Sequence, residues 1–386
     1  MNYVFLGSYF PKDKVEEITG KSIGPIANAN NLWQWNFIHG LGSLKLKLCK
    51  YTFPQIGAFP NRYKGIFFHG TSTCGSFINL PLVKHLDRYL RTYKKVDSIL
   101  KSYKGNTVVF IYDLYIPFIY AILRLKRKYS IKVCLIVPDL IGFTGSPNCV
   151  FYKWKEDVER KMLSKVISKI DYFVLLTQYM AEPLRIKEKP YIVVEGMYND
   201  VFKDIANIQC DKVLFYSGAL DERNGVKHLV EAFNLLPKDY KLVICSDGTL
   251  KEWICKASAV DNRIVYKGQL LHQEVLRLQL QSSLLVNPRK STGIFTKYSF
   301  PSKTLEYFAS GVPVLMYKLK GIPAEYYNYC FTPEDESAIC LANKIVEIHS
   351  MERTKLNKIG LDARNFILQN KTPEKQIARI IKMIYE

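Results

Sequence analysis

The sequence lacks the patterns that mark several common classes of protein. Its nine cysteines are dispersed through 386 residues without a C-x-x-C pair or a zinc-site spacing. This disfavours a disulfide framework and a structural metal, and it favours a reducing compartment. No run of about 18 uncharged apolar residues is present, so we expect no membrane-spanning helix. The N-terminus has neither the basic start nor the small-residue cleavage site of a secretory signal, so we expect a cytoplasmic protein.

Three signatures of nucleotide binding are also missing. There is no G-x-x-x-x-G-K-[ST] loop, no G-x-G-x-x-G after the first apolar strand, and no D-x-D pair to hold a metal–diphosphate. An ATPase and a standard dinucleotide enzyme are therefore disfavoured. We expect no metal and no cofactor, with arginine and lysine neutralising the charge of any bound diphosphate.

A large positive charge is what the sequence does have. The formal net charge is +20, which favours anionic partners such as nucleic acid, an acidic membrane surface or phosphorylated substrates. The charge alone does not choose among them, and part of it is typical of any lysine-rich solvated surface.

Apolar strands and helical stretches alternate along the chain. The first-half strands are predicted at NYVFLGS, GIFFHG, TVVFIYD, KVCLIVPDL and YFVLLT, with helices over Pro117–Lys128 and Tyr152–Ile167. The second-half strands are predicted at KVLFYSG, KLVICSDG, RIVYKG, SLLVNP and VPVLMY. Continuous apolar strands separated by helices predict α/β domains whose parallel sheets are covered on both faces.

We divide the chain into two doubly wound α/β domains, residues 1–195 and 196–370. The boundary is placed where the stretch 191–211 loses its apolar periodicity. Residues 371–386 predict an amphipathic helix, which we expect to pack back on the first domain. Ligands of such sheets bind at the carboxyl ends of the strands, so polar residues that follow strands are the first candidates for a site.

The stretch 299–315, SFPSKTLEYFASGVPVL, predicts a helix with an unusual polar face. Pro301 suits the first helical position, and Gly311 suits the left-handed residue after the helix. A helix N-terminus suits phosphate, and Lys303 in the first turn becomes favourable when phosphate is bound. One turn later, Glu306 can accept two hydrogen bonds from the hydroxyls of a ribose. Spacing alone leaves open an ordinary surface Lys–Glu pair.

Other candidates for a donor site follow the second-half strands. Gly218 permits close approach of a ligand to the backbone, and Arg223 offers a guanidinium to phosphate oxygens. For Asp247 we favour capping of the next helix over contact with a ligand. Arg289 and Lys290 together suit a diphosphate, although ordinary surface charge remains an alternative for these cations.

Taken in order, the second-half motifs resemble those of a known enzyme family. FYSGALDERNGV, LVICSDG, VNPR, YSFPSKTLEYFASGVPVL and KGIPAEYYNY, within Lys212–Tyr329, look like the nucleotide-sugar domain of GT-B glycosyltransferases, above all the retaining group called family 4. The resemblance implies two doubly wound, Rossmann-like domains with a cleft between them. It also implies transfer of a hexose-type sugar from a UDP- or GDP-type donor to an acceptor hydroxyl, with retention.

The resemblance assigns roles to the polar face of the helix. Glu306 matches the second of two motif glutamates, which binds the nucleotide ribose. The first motif glutamate, which contacts the donor sugar, is replaced here by Tyr298. We include Ser302, Lys303 and Thr304 in the same donor site.

The glycine loop departs from the family pattern. The usual arginine is replaced by Ala219, and the usual lysine falls at Arg223 or Asn224. Arg289 or Lys303 could supply the missing charge. In such enzymes the donor's own phosphate is thought to take the acceptor proton, so no side-chain base is required.

Candidate catalytic and acceptor-side residues come from both halves. We expect Arg223 and Lys303 to stabilise the departing diphosphate, and Asp139, at the end of a first-half strand, to bind the reacting hydroxyl or else to cap a turn. His69 follows GIFF, although a lone histidine is more often structural. His39 lies in NNLWQWNFIHGLGS, which we expect to be an acceptor-side loop unless its aromatics are core.

Two basic tracts, 84–104 and 124–132, lie in the first half. They favour peripheral docking on the anionic inner face of the cell membrane, where each basic residue adds to binding. A lipid-linked or surface-glycan acceptor would make such docking useful, and a solvated basic face is the alternative.

Three functions therefore compete. The first is a membrane-surface glycosyltransferase. The second is a GT-B enzyme that acts on soluble substrates, such as an epimerase or phosphorylase. The third, nucleic-acid binding, is suggested by charge alone and lacks a recognised motif, so we expect no nucleic-acid partner.

Overall fold

The computed structural model describes residues 1–24, 26, 28–143, 150–202 and 210–386, with only the backbone described for 150–152. The chain forms two compact units. Unit 1 comprises Met1–Met197 and Pro373–Glu386, and unit 2 comprises Tyr198–Thr372.

The described part of unit 1 is built on one parallel sheet and a short hairpin. Its strands are β1 Asn2–Gly7, β2 Leu48–Thr52, β3 Phe67–Phe68, β4 Phe77–Ile78, β5 Thr107–Tyr112, β6 Ile131–Val137, β7 Tyr172–Leu175 and β8 Tyr191–Val193. The parallel sheet has the order β2-β1-β5-β6-β7-β8, and β3 pairs with β4. All residues of β1 and β5 are buried, as expected for central strands covered on both faces. The chain changes direction across the sheet between these two strands.

Helices cover this sheet, and aromatic residues form much of the core between the layers. The helices are α1 Val15–Lys21, α2 Asn28–Ser43, α3 Val83–Ser102, α4 Ile116–Lys126 and α5 Val150–Ser164. The ring of Phe37 on α2 lies 5.1 Å from Phe5 on β1 and 5.1 Å from Phe110 on β5. This packing fixes α2 on the face of the sheet.

The prediction of an acceptor-side loop at NNLWQWNFIHGLGS is wrong, because this stretch belongs to the helix α2. Trp33 and Phe37 are one helical turn apart and stack at 5.5 Å, so the aromatic spacing reflects a buried helix face. His39 lies in the second half of α2, which leads to the amino end of β2, and its side chain is 3.6 Å from Glu374. His39 therefore lies towards the edge of the sheet formed by the amino ends of the strands, away from the edge formed by their carboxyl ends.

The prediction of a strand at GIFFHG is also largely wrong. Only Phe67 and Phe68 are extended there, and they pair with β4 outside the main sheet. The position beside β1 is taken by β2, whose first residues are only half-buried. A half-buried edge strand has no continuous apolar run, which is why the sequence pattern did not reveal it.

Unit 2 contains a second parallel sheet. Its described strands are β9 Val213–Ser217, β10 Lys241–Cys245, β11 Ile264–Tyr266, β12 Leu284–Asn287 and β13 Val314–Met316, in the order β11-β10-β9-β12-β13. Its described helices are α6 Val226–Phe233, α7 Lys251–Val260, α8 His272–Leu280, α9 Lys303–Ser310, α10 Ala338–Ser350 and α11 Arg353–Asn370. All the predicted second-half strands are confirmed. The chain reverses its direction across this sheet between β9 and β12, the point where open α/β sheets bind ligands.

Helix α9 begins two residues later than the pattern predicted. The carbonyl of Pro301 accepts a hydrogen bond from the Thr304 N–H, and Ser302 precedes the first helical residue, Lys303. Gly311 ends the helix in the left-handed conformation, with φ +78, as predicted. Ser310, the last residue of the helix, is buried.

The C-terminal segment forms α12, Pro373–Tyr385, which belongs to unit 1. Ile377, Ile380 and Ile384 lie one turn apart on one side of this helix and are buried in the core that includes Phe37. An apolar stripe at this spacing accounts for the docking of α12. Among the residues that the structure describes, no helix has both the length and the apolar character needed to cross a membrane.

Candidate active site

The expected donor-site residues of unit 2 lie at the carboxyl edge of its sheet. Gly218 follows β9, Asp247 follows β10, and Arg289 and Lys290 follow β12. Helix α9 is attached to the same edge, because the N–H of Ser217 at the end of β9 donates to the Tyr307 hydroxyl at 2.8 Å. Tyr307 is the neighbour of Glu306, so the helix bearing the glutamate meets the edge at the reversal point.

Glu306 is a nearly buried carboxylate held by three donors. Its Oε1 accepts hydrogen bonds from Gln279 Nε2 at 2.6 Å and from Lys303 Nζ at 2.7 Å. Its Oε2 lies 2.8 Å from His272 Nε2. The Glu306 side chain is 13 % exposed, whereas that of His272 is 55 % exposed and that of Lys303 is 35 % exposed. Gln279 is fully buried, so it is the fixed partner and the other two are accessible to solvent.

These donors keep Glu306 ionised. Burial by itself raises the pKa of a carboxyl group, but hydrogen bonds from His272, Lys303 and Gln279 and the charge of Lys303 outweigh it and lower the pKa of Glu306 to about 2. The site therefore presents a fixed negative charge over the whole physiological range. An ionised carboxylate can act only as an acceptor, so it suits a ligand that brings hydroxyl donors.

Arg289 carries the opposite charge at the reversal point. Its Nη2 donates to Asn224 Oδ1 at 2.6 Å, and its Nη1 makes a longer contact of 3.5 Å with the Ser299 hydroxyl. Among the described residues it forms no ion pair. Burial lowers the pKa of Arg289, and the nearby charge of Arg223 adds to this effect, although a guanidinium stays protonated in a protein. A half-buried cation with neutral partners suits an anion.

The loop after β9 passes directly over the end of β12. Gly225 has φ +76, and a Cβ built there would lie 2.0 Å from the carbonyl oxygen of Pro288. Only glycine fits this approach. The contact sets the position of Asn224, whose Nδ2 also donates to the Ala219 carbonyl at 3.0 Å, and thereby of Arg289.

The other expected cations of unit 2 are placed less centrally. Arg223 is exposed in a short 3-10 turn after β9. Lys290 is half-buried, and its charge acts on the buried His228, whose pKa is lowered mainly by burial. His228 in turn lies 2.8 Å from the Tyr317 hydroxyl, so it has a structural partner.

Three further candidates differ in their surroundings. Asp247 does not cap α7; its carboxylate accepts from the N–H of Gly248 at 2.8 Å and from Lys251 at 3.4 Å, which stabilises the turn after β10. Ser302 is exposed at the start of α9. Thr304 is fully buried, and its hydroxyl has no hydrogen-bond partner among the described residues.

Of the candidates in unit 1, Asp139 is at a carboxyl strand end and His69 follows the hairpin strand. Asp139 follows β6 and is half-buried. The pKa of Tyr112 is raised mainly by the burial of that tyrosine, and the charges of Asp113 and Asp139 add to this effect. His69 is exposed and packs edge-on against Phe67 at 4.7 Å. Among the described residues, no cluster of three or more His, Cys, Asp or Glu side chains could hold a metal ion.

Sequence reasoning missed His272 and Gln279. His272 and Gln279 approach Glu306 from a helix that is 34 and 27 positions away in the chain. His272 also lies several residues beyond the end of β11, so a search confined to residues directly after strands passes over it. The sequence could have indicated His272 only through its position at the start of the helix α8.

Comparisons with known proteins agree with this architecture. Residues 211–350 match the family described as glycosyl transferases group 1, and this span contains the carboxyl edge just described. No curated protein matches the sequence.

Solved structures resemble the whole chain at low sequence identity. Sucrose-phosphate synthase from Thermosynechococcus elongatus is 14 % identical, with a TM-score of 0.67 over 100 % of this chain and 99 % of its own. HepE of Anabaena, in complex with UDP, is 13 % identical, with a TM-score of 0.63 over 99 % of this chain and 100 % of its own. A mutant of TarM from S. aureus is 12 % identical, with a TM-score of 0.55, and covers 81 % of this chain and 60 % of its own.

These findings agree with the expectations drawn from the motifs. The α/β architecture with two parallel sheets is that of GT-B glycosyltransferases, so the fold prediction is confirmed. The group 1 match supports the expected type of enzyme. The chain therefore has the GT-B fold, residues 211–350 of unit 2 match glycosyl transferases group 1, and the prediction of a transferase enzyme is confirmed.

Proposed function

We propose that this protein transfers a hexose-type sugar from a nucleotide diphosphate to an acceptor hydroxyl, and that the donor binds at the carboxyl edge of the sheet in unit 2. The observation that carries the proposal is the pairing of opposite charges at that edge. Arg289 is a cation without an ion pair among the described residues, and Glu306 is a nearly buried carboxylate kept ionised. A nucleotide diphosphate has the complementary groups, an anionic diphosphate and a ribose diol.

The two ends of the donor have separate partners in this proposal. The diphosphate contacts Arg289 and the first turn of α9, where Lys303 lies. The ribose hydroxyls donate to Glu306 in exchange for the accessible donors His272 and Lys303, while the buried Gln279 keeps its bond. Lys303 then becomes available to the diphosphate. The site is thus preorganised, because its ligand replaces existing hydrogen bonds.

Catalysis in this proposal rests on charge and orientation. Arg223 and Lys303 stabilise the departing diphosphate, and Asp139 of unit 1 orients the acceptor hydroxyl. Membership of the retaining family 4 group, and with it retention of configuration, is supported by the match of Glu306 to the second motif glutamate. The charge of the donor is neutralised by arginine and lysine, so the proposal includes no metal or cofactor.

A UDP-type donor is the first to test. HepE, which resembles this chain along 99 % of its length, has been solved with UDP and with UDP-glucose. A GDP-type donor would engage Arg289 and Glu306 equally, since both contacts avoid the base. The base must therefore be identified by experiment.

For the acceptor we propose a lipid-linked or surface glycan, reached by peripheral docking on the inner face of the cell membrane. Helix α3 supports this, because its outer face exposes Val83, Leu86 and Leu90 at helical spacing and continues with Lys94 and Lys101. An apolar stripe followed by cations is typical of helices that lie on anionic lipid. TarM, which resembles this chain, has been solved with fondaparinux, alpha-GlcNAc-glycerol and UDP together.

A soluble acceptor is the second candidate. The observation that favours it is the full-length likeness to sucrose-phosphate synthase, which is named for a phosphorylated sugar. In that case the donor site is unchanged, and the basic helix α3 is a solvated surface. An enzyme of this kind would show no affinity for anionic vesicles.

The decisive experiment measures the melting temperature of the protein in the presence of each of five nucleotides, UDP, GDP, ADP, CMP and TDP. A ligand at 100 times its dissociation constant adds about 2.7 kcal/mol to the free energy of unfolding, enough to raise the melting temperature by several degrees. We expect one diphosphate to stabilise the protein selectively. The absence of any shift with all five nucleotides would contradict the proposed donor site.

A further inference from the structure

A second group of cations lies in unit 1, on the first turns of α3. Lys84, His85 and Arg88 lie within five residues of one another, and the charge of Lys155 on α5 reaches Lys84 and His85. Lys84 and His85 are half-buried, so they are accessible from solvent. The sequence placed Lys84 and Arg88 in a surface tract, whereas the structure turns Arg88 inward.

Arg88 is the innermost member of the group and is only 5 % exposed. Its Nη2 donates to the Pro54 carbonyl at 2.9 Å, and its guanidinium lies 3.9 Å from the centre of the Phe77 ring. Its Nε has no hydrogen-bond partner among the described residues. One of the donors of this buried cation is therefore unsatisfied, which is costly unless a ligand supplies an acceptor.

No carboxylate in the described part of the chain forms an ion pair with this group. Asp87 is engaged by Arg91, whose Nε lies 2.8 Å from each of its oxygens. Glu159 on α5 pairs with Lys155 of its own helix at 3.7 Å, so the charge of Lys155 is balanced within α5. Lys84 donates to a neutral carbonyl, that of Ile56, at 3.4 Å. A buried charge in a protein is normally balanced by an opposite charge, so the missing partner here is an anion.

The titration of these groups agrees with an uncompensated positive site. Burial, with the charges of Arg88 and Lys155, lowers the pKa of Lys84 to about 8. Burial and the same cations, with Lys84, lower the pKa of His85 to about 4. Burial also raises the pKa of Asp113, the carboxyl group that directly follows β5.

The group lies where a ligand of unit 1 is expected. Nδ1 of His85 is 2.9 Å from the hydroxyl of Tyr115, which follows β5, and Arg88 and Lys84 contact carbonyls that follow β2. These positions are at the carboxyl ends of strands on both sides of β1, next to the reversal of strand order.

We propose that Lys84, His85 and Arg88, with Tyr115, form a binding site for the phosphate or diphosphate group of the acceptor. Naming the acceptor as the source rests on the proposed glycosyl transfer, whereas the anion site itself rests on the geometry of unit 1. A charged group on the acceptor would be held by this site while its hydroxyl is presented to the donor. The phosphate belongs either to a lipid-linked diphosphate or to a free phosphate ester.

The test uses the full chain saturated with UDP, so that the proposed donor site is occupied, and isothermal titration with inorganic pyrophosphate. The Lys84→Gln variant removes one cation of the site, and Lys187→Gln removes one exposed cation of the same unit with the same change in net charge. We expect Lys84→Gln to bind pyrophosphate roughly tenfold more weakly or worse, because a charge-assisted hydrogen bond is lost. Lys187→Gln should bind like the unchanged protein.

A second measurement is made on the unchanged protein, and a variant serves only to assign the signal. The imidazole resonance of His85 in the unchanged protein, assigned with the variant His85→Gln, should shift on addition of pyrophosphate. Equal affinity of Lys84→Gln and Lys187→Gln, or an unmoved His85 resonance, would overturn the proposal. UDP affinity should be the same in both lysine variants.

Farnesyl diphosphate separates the two sources of the phosphate. Tighter binding of farnesyl diphosphate than of pyrophosphate, dependent on Lys84, supports a lipid-linked diphosphate, whereas equal binding supports a free phosphate ester. If UDP fails to bind but pyrophosphate binding still depends on Lys84, the proposed donor site is wrong and the anion site stands. The failures of the two proposals are therefore distinguishable.

Discussion

Nε2 of His272 lies 2.8 Å from Oε2 of Glu306, although the two residues are 34 positions apart. The contact joins the first turn of α8 to α9. It leaves Glu306 with a solvent-accessible donor on one oxygen and the buried Gln279 on the other. The polar face of α9 is therefore more than a surface Lys–Glu pair, because a neutral buried amide and a histidine from another helix converge on the same carboxylate.

The substitution Glu306→Gln should weaken binding of the nucleotide diphosphate. The amide keeps the size of the side chain but loses the ionised acceptor, and a hydrogen bond to a charged group is worth about 1.5–3 kcal/mol, or roughly 10–100-fold in affinity. Titration calorimetry with the nucleotide selected by the thermal panel measures this loss.

A matched control exists in the same unit. Lys344 and the exposed Glu347 form an ion pair at the same i,i+3 spacing as Lys303 and Glu306, with a distance of 2.6 Å. Glu347→Gln should leave nucleotide affinity unchanged. Equal affinities for Glu306→Gln and Glu347→Gln would show that the Lys303–Glu306 pair is an ordinary surface ion pair.

The stability contributed by Glu306 should depend on pH in the acid range. Its pKa is lowered from 4.5 to about 2 in the folded protein, so its contribution is fully present above about pH 4.5 and is lost as the pH falls towards 2. We expect Glu306→Gln to be less stable than the unchanged protein by on the order of 1–3 kcal/mol at pH 6. Urea unfolding from pH 6 to pH 2.5 should show this difference shrinking, and a constant difference would contradict it.

The strands of unit 2 could be predicted because they are short and mostly apolar. Runs such as VLFYS are buried on nearly every residue, and continuous apolar runs bounded by Gly or Asp are a strong local signal. The edge strand β2 in unit 1, LCKYT, has half-buried positions and no such run. The helix α2 was mistaken for a loop because its Asn, Gln and Gly residues resemble turn residues, while its aromatics pack on the sheet.

The candidate site was predictable only in part. Glu306 and Lys303 share one helix face, so local spacing sufficed to group them. Gln279 and His272 reach Glu306 through tertiary packing, which no local pattern encodes. Arg88 was grouped with surface lysines because periodicity within a basic tract does not show which cation faces the sheet, and the structure buries it.

Arg289 should contribute more to donor binding than Arg223. Arg289 is held by Asn224 at the reversal point and has no ion pair among the described residues, whereas Arg223 is exposed. We expect Arg289→Gln to weaken UDP binding roughly 10–100-fold. The exposed Arg277 gives a control with the same change in charge, and Arg277→Gln should have no effect. A larger loss from Arg223→Gln than from Arg289→Gln would reverse the assignment.

Gly225→Ala should destabilise unit 2 more than Gly268→Ala. Both glycines have positive φ, +76 and +66, so alanine costs about 1–2 kcal/mol of backbone strain at either position. The added Cβ meets the Pro288 carbonyl oxygen at 2.0 Å from Gly225 but finds nothing within 4 Å of Gly268. At Gly225 alone, overpacking should add about 1–3 kcal/mol to the loss of stability.

Denaturant unfolding measures the free energy of unfolding of both glycine variants. Because both carry the backbone strain, the difference between them gives the cost of the steric clash with Pro288. Gly225→Ala should also weaken nucleotide binding, because the loop places Asn224 against Arg289. Gly268→Ala should bind the nucleotide normally. Similar stabilities in both variants would mean that the loop moves away from Pro288 at little cost.

Peripheral docking through α3 and α4 predicts binding to vesicles that contain anionic lipid. The exposed cations Lys94, Arg124 and Arg127 lie on these packed helices or directly after them, and Arg124 Nη1 donates to a tyrosine hydroxyl of α3 at 3.2 Å. Replacing these three cations by glutamine should reduce co-sedimentation with phosphatidylglycerol vesicles several-fold, since each removes an attraction to the leaflet. Added salt should produce a similar loss.

The same change in net charge in unit 2 tests whether position matters. Lys238, Lys241 and Lys256 are exposed there, and their replacement by glutamine removes an equal charge. If docking uses the α3 surface, vesicle binding survives in this second triple variant, because the surface with the exposed leucines is intact. Equal losses in both variants would indicate attraction by net charge alone, and the soluble-acceptor function would then be favoured.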